Sequence, residues 1–245
     1  MCIRDSSYFD NSPLASSGLP SKNELELLNV WKDEIPAEVF TESFTPPITD
    51  GSGNDRKNLL KAKEILEKEG WFVENGKLVK DGKEFKFEFL IVSPSDEKIA
   101  LAYQSNLKKL GITMDVRTVD SSQYQERLLS YDFDMIKRYW GVSLSPGNEQ
   151  QFYWGSEVGQ KDGSRNYPGI NSPAVDALIE KLISATNREE LTTAIHALDR
   201  VLLWGHYVVP LYHSNKDRIA YWDFFEYPDE IPLYGIVIEL SLIHI

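Results

Sequence analysis

The sequence predicts an α/β fold, and three observations carry the prediction. Phe85, Phe87, Phe89 and Ile91 alternate with Lys86, Glu88, Leu90 and Val92, so a strand here buries first one face and then both. A helical period follows at Ile99, Ala102, Tyr103, Leu107 and Leu110 and ends at Gly111. Ile112, Met114, Val116 and Thr118 then alternate again. Strand, helix and strand in so short a stretch form a βαβ unit, and its strands run parallel.

The other elements follow in order. Ser21 and Glu24 form a capping box before Leu25, Leu27 and Leu28, opening a helix to about Glu34 that stops before Pro36. Residues 41–53 are a Pro/Gly/Thr-rich connection. Asn54 or Asp55 opens a helix with Leu59, Ala62 and Leu66 on one face and Gly70 past its end. Residues 71–73 and 77–79 flank Asn75-Gly76 as a hairpin. Within the βαβ unit, Ser95 is the expected helix cap. A helix over 121–130 and a third strand over 133–139 come next. Ser172-Pro173 caps a helix carrying Val175, Leu178, Ile179, Leu182 and Ile183. A second helix spans Arg188 to Trp204, and residues 206–213 and 219–222 read as strands.

Composition bounds the function. The 245 residues carry 26 Lys+Arg against 38 Asp+Glu, a formal charge of −12, which argues against a nucleic-acid binder. The single cysteine excludes an internal disulfide framework and multi-cysteine metal sites. No apolar run approaches the ~20 residues of a membrane helix.

The two ends read as one DNA element. Met1-Cys2-Ile3-Arg4-Asp5-Ser6 back-translates to ATG TGT ATA AGA GAC AG, whose reverse complement encodes the closing Leu-Ser-Leu-Ile-His. This resembles a transposon end used in sequencing-library preparation. Residues 1–6 and 240–245 are therefore expected to be adapter-derived, with 7–239 the natural stretch. On that reading Cys2 and His244 leave the inventory, and a missing leader at the start carries no information.

Few residues suggest catalysis. Asp50 to Asp55 imitates the start of a calcium loop but lacks its glycine and closing glutamate. The histidines show no metal-ligand spacing, and His196 is expected on the solvated face of its helix. Asp132, Asp134 and Glu149 could serve a glycosidase, or be ordinary members of an acidic surface. The most distinctive stretch is 132–166, where a strand runs into Trp140-Gly141 and then a loop rich in Ser, Asn, Gln, Trp and Tyr. Ligands sit at the carboxyl ends of strands in open α/β sheets. Glycine permits close approach, and indole supplies apolar area with one donor. The same stretch serves equally as a surface loop pinned by Trp140 and Trp154.

A family resemblance bears on that choice. LKKLGITMDVRTVDSSQYQERLLSYDFDMIKRYWG resembles the core signature of the family 5 extracellular solute-binding proteins, the peptide-type receptors of ABC importers. SLSPGNEQ, YWGS, SRNYPGI, PAVDALIEKLISA and ALDRVLLWGHYVVPLYHSNKDRIAYWD continue it in order, and are similar to the Yej-type subgroup associated with oligopeptide and microcin C uptake.

The resemblance implies a periplasmic-binding-protein-like (class II) architecture. Residues 7–207 would form most of the C-terminal lobe, a mixed sheet with flanking helices. Residues 208–239 would cross back toward an N-terminal lobe that is largely missing. It implies a non-catalytic, monomeric periplasmic receptor without cofactor or metal, which presents a peptide-like solute to membrane permease subunits. Trp140 matches the family tryptophan at the strand end, with Gly141, Ser145, Asn148 and Glu149 in the adjoining wall. Related oligopeptide receptors carry an amine-binding aspartate three residues after that tryptophan, where this chain has Ser143. Arg165, Asn166 and Tyr167 match a stretch near the cleft. A secreted carbohydrate-active enzyme and a chemosensory receptor are the alternatives.

Overall fold

The computed structural model describes residues 2–49, 51–141, 143–214, 216 and 220–222. In chain order the elements begin with β1 (Cys2–Arg4), α1 (Lys22–Leu28), α2 (Glu38–Thr41) and α3 (Arg56–Lys68). The middle holds β2 (Phe72–Glu74), β3 (Lys77–Lys80), β4 (Lys83–Glu84), β5 (Lys86–Ile91), α4 (Pro94–Lys108), β6 (Thr113–Thr118), α5 (Ser121–Leu129) and β7 (Met135–Ile136). The last part holds α6 (Glu149–Trp154), α7 (Pro173–Ile183), α8 (Arg188–Trp204) and β8 (Tyr212–Ser214). Two compact units result, Ser6–Val209 and a smaller one of Met1–Asp5 with Pro210–Ile245. In the smaller unit β1 pairs antiparallel with β8, Ile3 opposite His213.

The large unit is built on the parallel sheet β6-β5-β7. Phe89 lies opposite Val116 on one side and Met135 on the other. The alternation along β5 works as the sequence predicts. Phe89 and Ile91 face α4, packing with Ala100, Leu107 and Met114, while Leu90 faces α5, packing with Tyr124 and Leu128. The two connecting helices thus cover opposite faces. A separate antiparallel sheet, β2-β3-β4, contains the predicted hairpin. Gly111 joins the two sheets: its carbonyl accepts from Leu78 N–H at 2.7 Å. Its φ is +80°, and a Cβ there would meet Leu78 N at 2.8 Å, so only glycine fits without strain.

The second half of the core packs α7 against α8. Val175, Leu178, Ile179 and Leu182 meet Ala194, Ile195, Leu198 and Leu202, with Phe9, Leu14 and Leu28 from the start of the chain. Polar side chains fix that early segment. Asp199 is fully buried and accepts from Tyr8 N–H (2.9 Å), Ser16 N–H (2.9 Å), the Ser16 hydroxyl (2.6 Å) and the Ser7 hydroxyl (2.8 Å). Burial, the largest influence, raises its pKa, and these donors act in the opposite direction. Arg200 donates to the Ser17, Gly18 and Leu19 carbonyls and to Glu24 at 2.6 Å. Glu24 also completes the predicted capping box, accepting from Ser21 N–H at 3.1 Å. A buried pair of this kind resists loss of either partner, because the survivor would be an uncompensated charge.

Several expectations need correction. Ser93, not Ser95, caps α4, because Pro94 takes the first helical position where its missing N–H costs nothing. The third strand shrinks from 133–139 to Met135–Ile136. Before it, the Asp134 carboxylate takes Glu88 N–H at 2.8 Å in place of a ladder carbonyl. After it, the Lys137 carbonyl accepts from the Tyr124 hydroxyl at 3.3 Å. Helix α1 ends at Leu28 and continues only as a 3-10 turn, Asn29–Trp31. Of the 206–213 run only Tyr212 and His213 lie in a strand, which continues to Ser214, and His206 has a left-handed φ of 51°. Tyr221 and Trp222 are irregular, and Ile219 lies outside the described residues. His196 is half-buried rather than solvated, with a ring nitrogen 3.2 Å from the Pro13 carbonyl. No described helix is long and apolar enough to cross a membrane.

Candidate ligand-binding site

Strand order locates the crevice. The chain leaves central β5 for β6 on one side, then crosses back over β5 to reach β7 on the other. In an open α/β sheet, the gap outside the carboxyl ends at such a reversal is where ligands bind. Here the gap lies between the end of β5, at Val92-Ser93, and the end of β7, at Lys137-Arg138. Lys137 forms an ion pair with Asp96 in the first turn of α4.

Trp140 follows directly and is half-buried. Its ring lies 5.0 Å from that of Trp154, tilted by 42°. Trp154 is buried, donates from its indole N–H to Gln150 Oε1 at 3.0 Å, and meets the edge of Tyr8 at 5.0 Å. The outer indole therefore rests on a rigid aromatic backing, with one face pinned and the remainder toward solvent.

Gly141, Ser143, Ser145 and Asn148 are exposed. The Ser143 hydroxyl accepts from Ser145 N–H at 3.2 Å, an ST-type local turn. Asn148 precedes α6 without a side-chain capping bond. Glu149 folds back instead, its carboxylate accepting Gly147 N–H at 2.9 and 3.0 Å and Gln150 Nε2 at 3.3 Å. The described residues Gly141, Ser143, Ser145 and Asn148 thus give the stretch an exposed polar side, and the carboxylate of Glu149 is already hydrogen-bonded.

The 165–167 triplet separates into three environments. Arg165 is exposed and Tyr167 half-buried. Asn166 is completely buried and works as a lock: Nδ2 donates to the Gly155 carbonyl (3.0 Å) and the Ile170 carbonyl (2.8 Å), and Oδ1 accepts Ile170 N–H (2.8 Å). Tyr167 packs with Tyr131 and Phe133, and the Arg138 guanidinium lies 5.0 Å above its ring. The sequence reading passed over Arg138 and Tyr139. Tyr139 is 89% exposed, a large aromatic beside Trp140 with almost no cover. The signal available was their position between strand and loop.

The acidic residues form a different place. Glu88, Arg127, Tyr131, Asp132, Phe133 and Asp134 line an open depression of about 370 Å³ beside the amino end of β7. Arg127 holds Glu88 at 2.7 Å and Asp132 at 2.8 Å, and Asp134 is occupied by the Glu88 amide. These carboxylates are structural partners of the sheet.

Comparison with known proteins gives the family and the fold. The family model for bacterial extracellular solute-binding proteins, family 5 Middle, matches residues 30–162, which contain the whole parallel sheet and the Trp140 loop. A Sinorhizobium fredii protein, y4wM, is 49% identical over 235 residues, covering 95% of this chain and 35% of its own length. The probable peptide-binding protein YejA of Agrobacterium fabrum is 43% identical, with 95% and 38% covered. The chain therefore spans little more than a third of these relatives. Among solved structures, the Bacillus subtilis oligopeptide-binding protein AppA in complex with a nonapeptide matches with a TM-score of 0.58 at 24% identity, covering 78% of this chain and 39% of that one. That likeness shows the fold, an α/β portion of a periplasmic binding protein. With more than half of its length matched by the family model, this chain belongs to the bacterial extracellular solute-binding proteins of family 5.

Proposed function

We propose that the chain is the ligand-holding part of an extracytoplasmic receptor for an ABC importer, capturing an oligopeptide or peptide-like solute without chemical change. The observation that carries this reading is the family match across the crevice-forming sheet, including Trp140 and its loop. The relative named as a probable peptide-binding protein supports the substrate class. On this reading residues 7–207 form most of the C-terminal lobe, and 208–239 return toward an N-terminal lobe. Closure of two lobes around the solute supplies affinity, as in other periplasmic binding proteins. Trp140, Gly141, Ser143, Ser145, Asn148 and Glu149 form one wall, with Arg165 and Tyr167 beside it and Asn166 bracing the loop behind. The receptor works as a periplasmic monomer that docks on permease subunits.

The test is peptide uptake. A strain lacking the full-length gene should lose uptake of labelled oligopeptides and regain it on complementation. The 245-residue chain alone should bind them weakly or not at all by calorimetry, since half the cleft is absent. Unchanged uptake in the deletion strain, or micromolar binding by the isolated chain, would count against the reading. Glycoside hydrolysis lost in Glu149→Gln would favour the carbohydrate-active alternative instead.

A further inference from the structure

Gln150 is 2% exposed and lies on α6 one helical turn before Trp154, on the same face. Its side chain has two partners. Oε1 accepts the Trp154 indole N–H at 3.0 Å, and Nε2 donates to Glu149 Oε1 at 3.3 Å. An indole N–H only donates and an ionised carboxylate only accepts, so a single orientation of the amide serves both. An ionised glutamate in this place has no proton for Glu149, and leucine serves neither partner.

The inner end of this bridge is rigid. Trp154 belongs to the core that α7 and α8 build, and its ring meets the edge of Tyr8 at 5.0 Å. Just past α6, Ser156 N–H donates to Asp176 of α7 at 2.9 Å, and the Ser156 hydroxyl accepts Ser172 N–H at 2.9 Å. The outer end is the wall itself. Trp140 rests on Trp154 with the rings 5.0 Å apart, so rotation of the inner indole sets the tilt of the outer one. Among the described residues Glu149 is held by neutral N–H groups alone, those of Gly147 and Gln150, and the direction of its carboxylate depends on them.

We infer that Gln150 is a positioning residue of the solute site: one buried amide fixes both the tilt of Trp140, through Trp154, and the direction of the Glu149 carboxylate. The inference rests on the receptor reading above. An apolar ring at one end of the loop and an acid at the other are then set at a constant separation before any solute arrives. Such preorganisation lowers the ordering cost of binding.

The full-length receptor is incubated with a randomised tripeptide pool, and retained peptides are identified by mass spectrometry. The most enriched peptide is titrated by calorimetry, well below the melting transition of every variant. Indoles as close as Trp140 and Trp154 couple optically, and the far-ultraviolet circular dichroism couplet that disappears in Trp140→Phe belongs to this pair. Gln150→Leu should shift or abolish that couplet and weaken peptide binding about 10-fold, the worth of one well-made hydrogen bond. Gln150→Glu should keep the couplet, because an acceptor for the indole remains, yet bind about as weakly, because a second carboxylate repels Glu149. A residue that only stabilises the fold would lower the melting temperature and leave couplet and affinity at parental values. An unshifted couplet in Gln150→Leu, or parental affinity in either variant, overturns the inference and leaves the receptor reading standing. Should Gln150→Leu not fold, Gln150→Glu decides: weakened binding with the couplet intact upholds the inference, and parental binding overturns it. A parent receptor that retains no peptide overturns the receptor reading and the inference with it.

Discussion

Asn166 is the sharpest test of how this site is built, because it sits between two residues placed at the cleft yet faces inward. Asn166→Ala removes one acceptor and two donated bonds, leaving Ile170 N–H and the Ile170 carbonyl unpaired in a buried place, while the Gly155 carbonyl keeps only the Gly159 N–H at 3.3 Å. Each stranded group costs about 1–3 kcal/mol, less where water enters, so the variant should lose about 2–4 kcal/mol. With a urea slope of about 3 kcal/mol/M, the unfolding midpoint should fall by about 0.7–1.3 M. Asn166→Asp discriminates further. It keeps the shape and the acceptor for Ile170 N–H, but sets carboxylate oxygen against two carbonyls. It should be at least as damaging as alanine at neutral pH. Burial and those carbonyls raise the new carboxyl's folded pKa above its unfolded value of about 3.9, so the folded form binds the extra proton. The variant should therefore regain stability relative to the parent as pH falls through that raised pKa, where a protonated oxygen can donate again. Urea titrations from pH 4 to 8 measure this. Variants as stable as the parent but weakened in peptide binding would refute the lock and make Asn166 a ligand contact.

Three further outcomes follow from other residues. Asp199 has a folded pKa raised chiefly by burial, so the folded chain holds its proton where the unfolded chain has released it. Stability from this group is highest below the unfolded value of about 3.9 and declines as pH rises through the folded one. Asp199→Asn should abolish that slope while costing about 1–3 kcal/mol for its misdirected amide donor. A stability difference constant with pH in urea titrations would contradict this. Gly111→Ala should lower the melting temperature through a strained positive φ and a Cβ 2.8 Å from Leu78 N, an effect of about 1–3 kcal/mol. An unshifted thermal transition would show that the turn relaxes freely. Trp140→Ala in the full-length receptor should weaken peptide binding about 30-fold, as loss of a central aromatic anchor does. Calorimetry finding no change would remove Trp140 from the wall.

Local chemistry was legible and distant chemistry was not. The capping box of Ser21 and Glu24, the Asn75-Gly76 hairpin and the two-faced burial along β5 all follow from neighbours within a few residues. The role of Glu24 as partner of Arg200 spans 176 residues, and no local pattern announces it. The short β7 has the same origin, because it depends on Asp134 capturing an amide 46 residues earlier. At the site, Trp140 stood out by its place between strand and glycine. Asn166 belonged to the same recognisable stretch, but whether its amide turned outward or inward was decided by the Gly155 and Ile170 carbonyls. Arg138 looked like one more charge on a strand. Only the sheet order and the ring of Tyr167 give it a distinct place.

The anchoring of the first residues on α8 also sets a clock. Ser16 meets Asp199 only after another 183 residues have been added. At about 5–20 residues per second, the ribosome needs about 10–40 s to supply them. Throughout that interval Phe9, Leu14 and Leu28 lack the α8 residues that bury them in the finished unit. The half of the core built on α7 and α8 therefore closes last, while the β5–α4–β6 unit draws on residues made much earlier. Nascent chains stalled before residue 199 should remain open to protease near residues 7–20, and those stalled well after α8 should not.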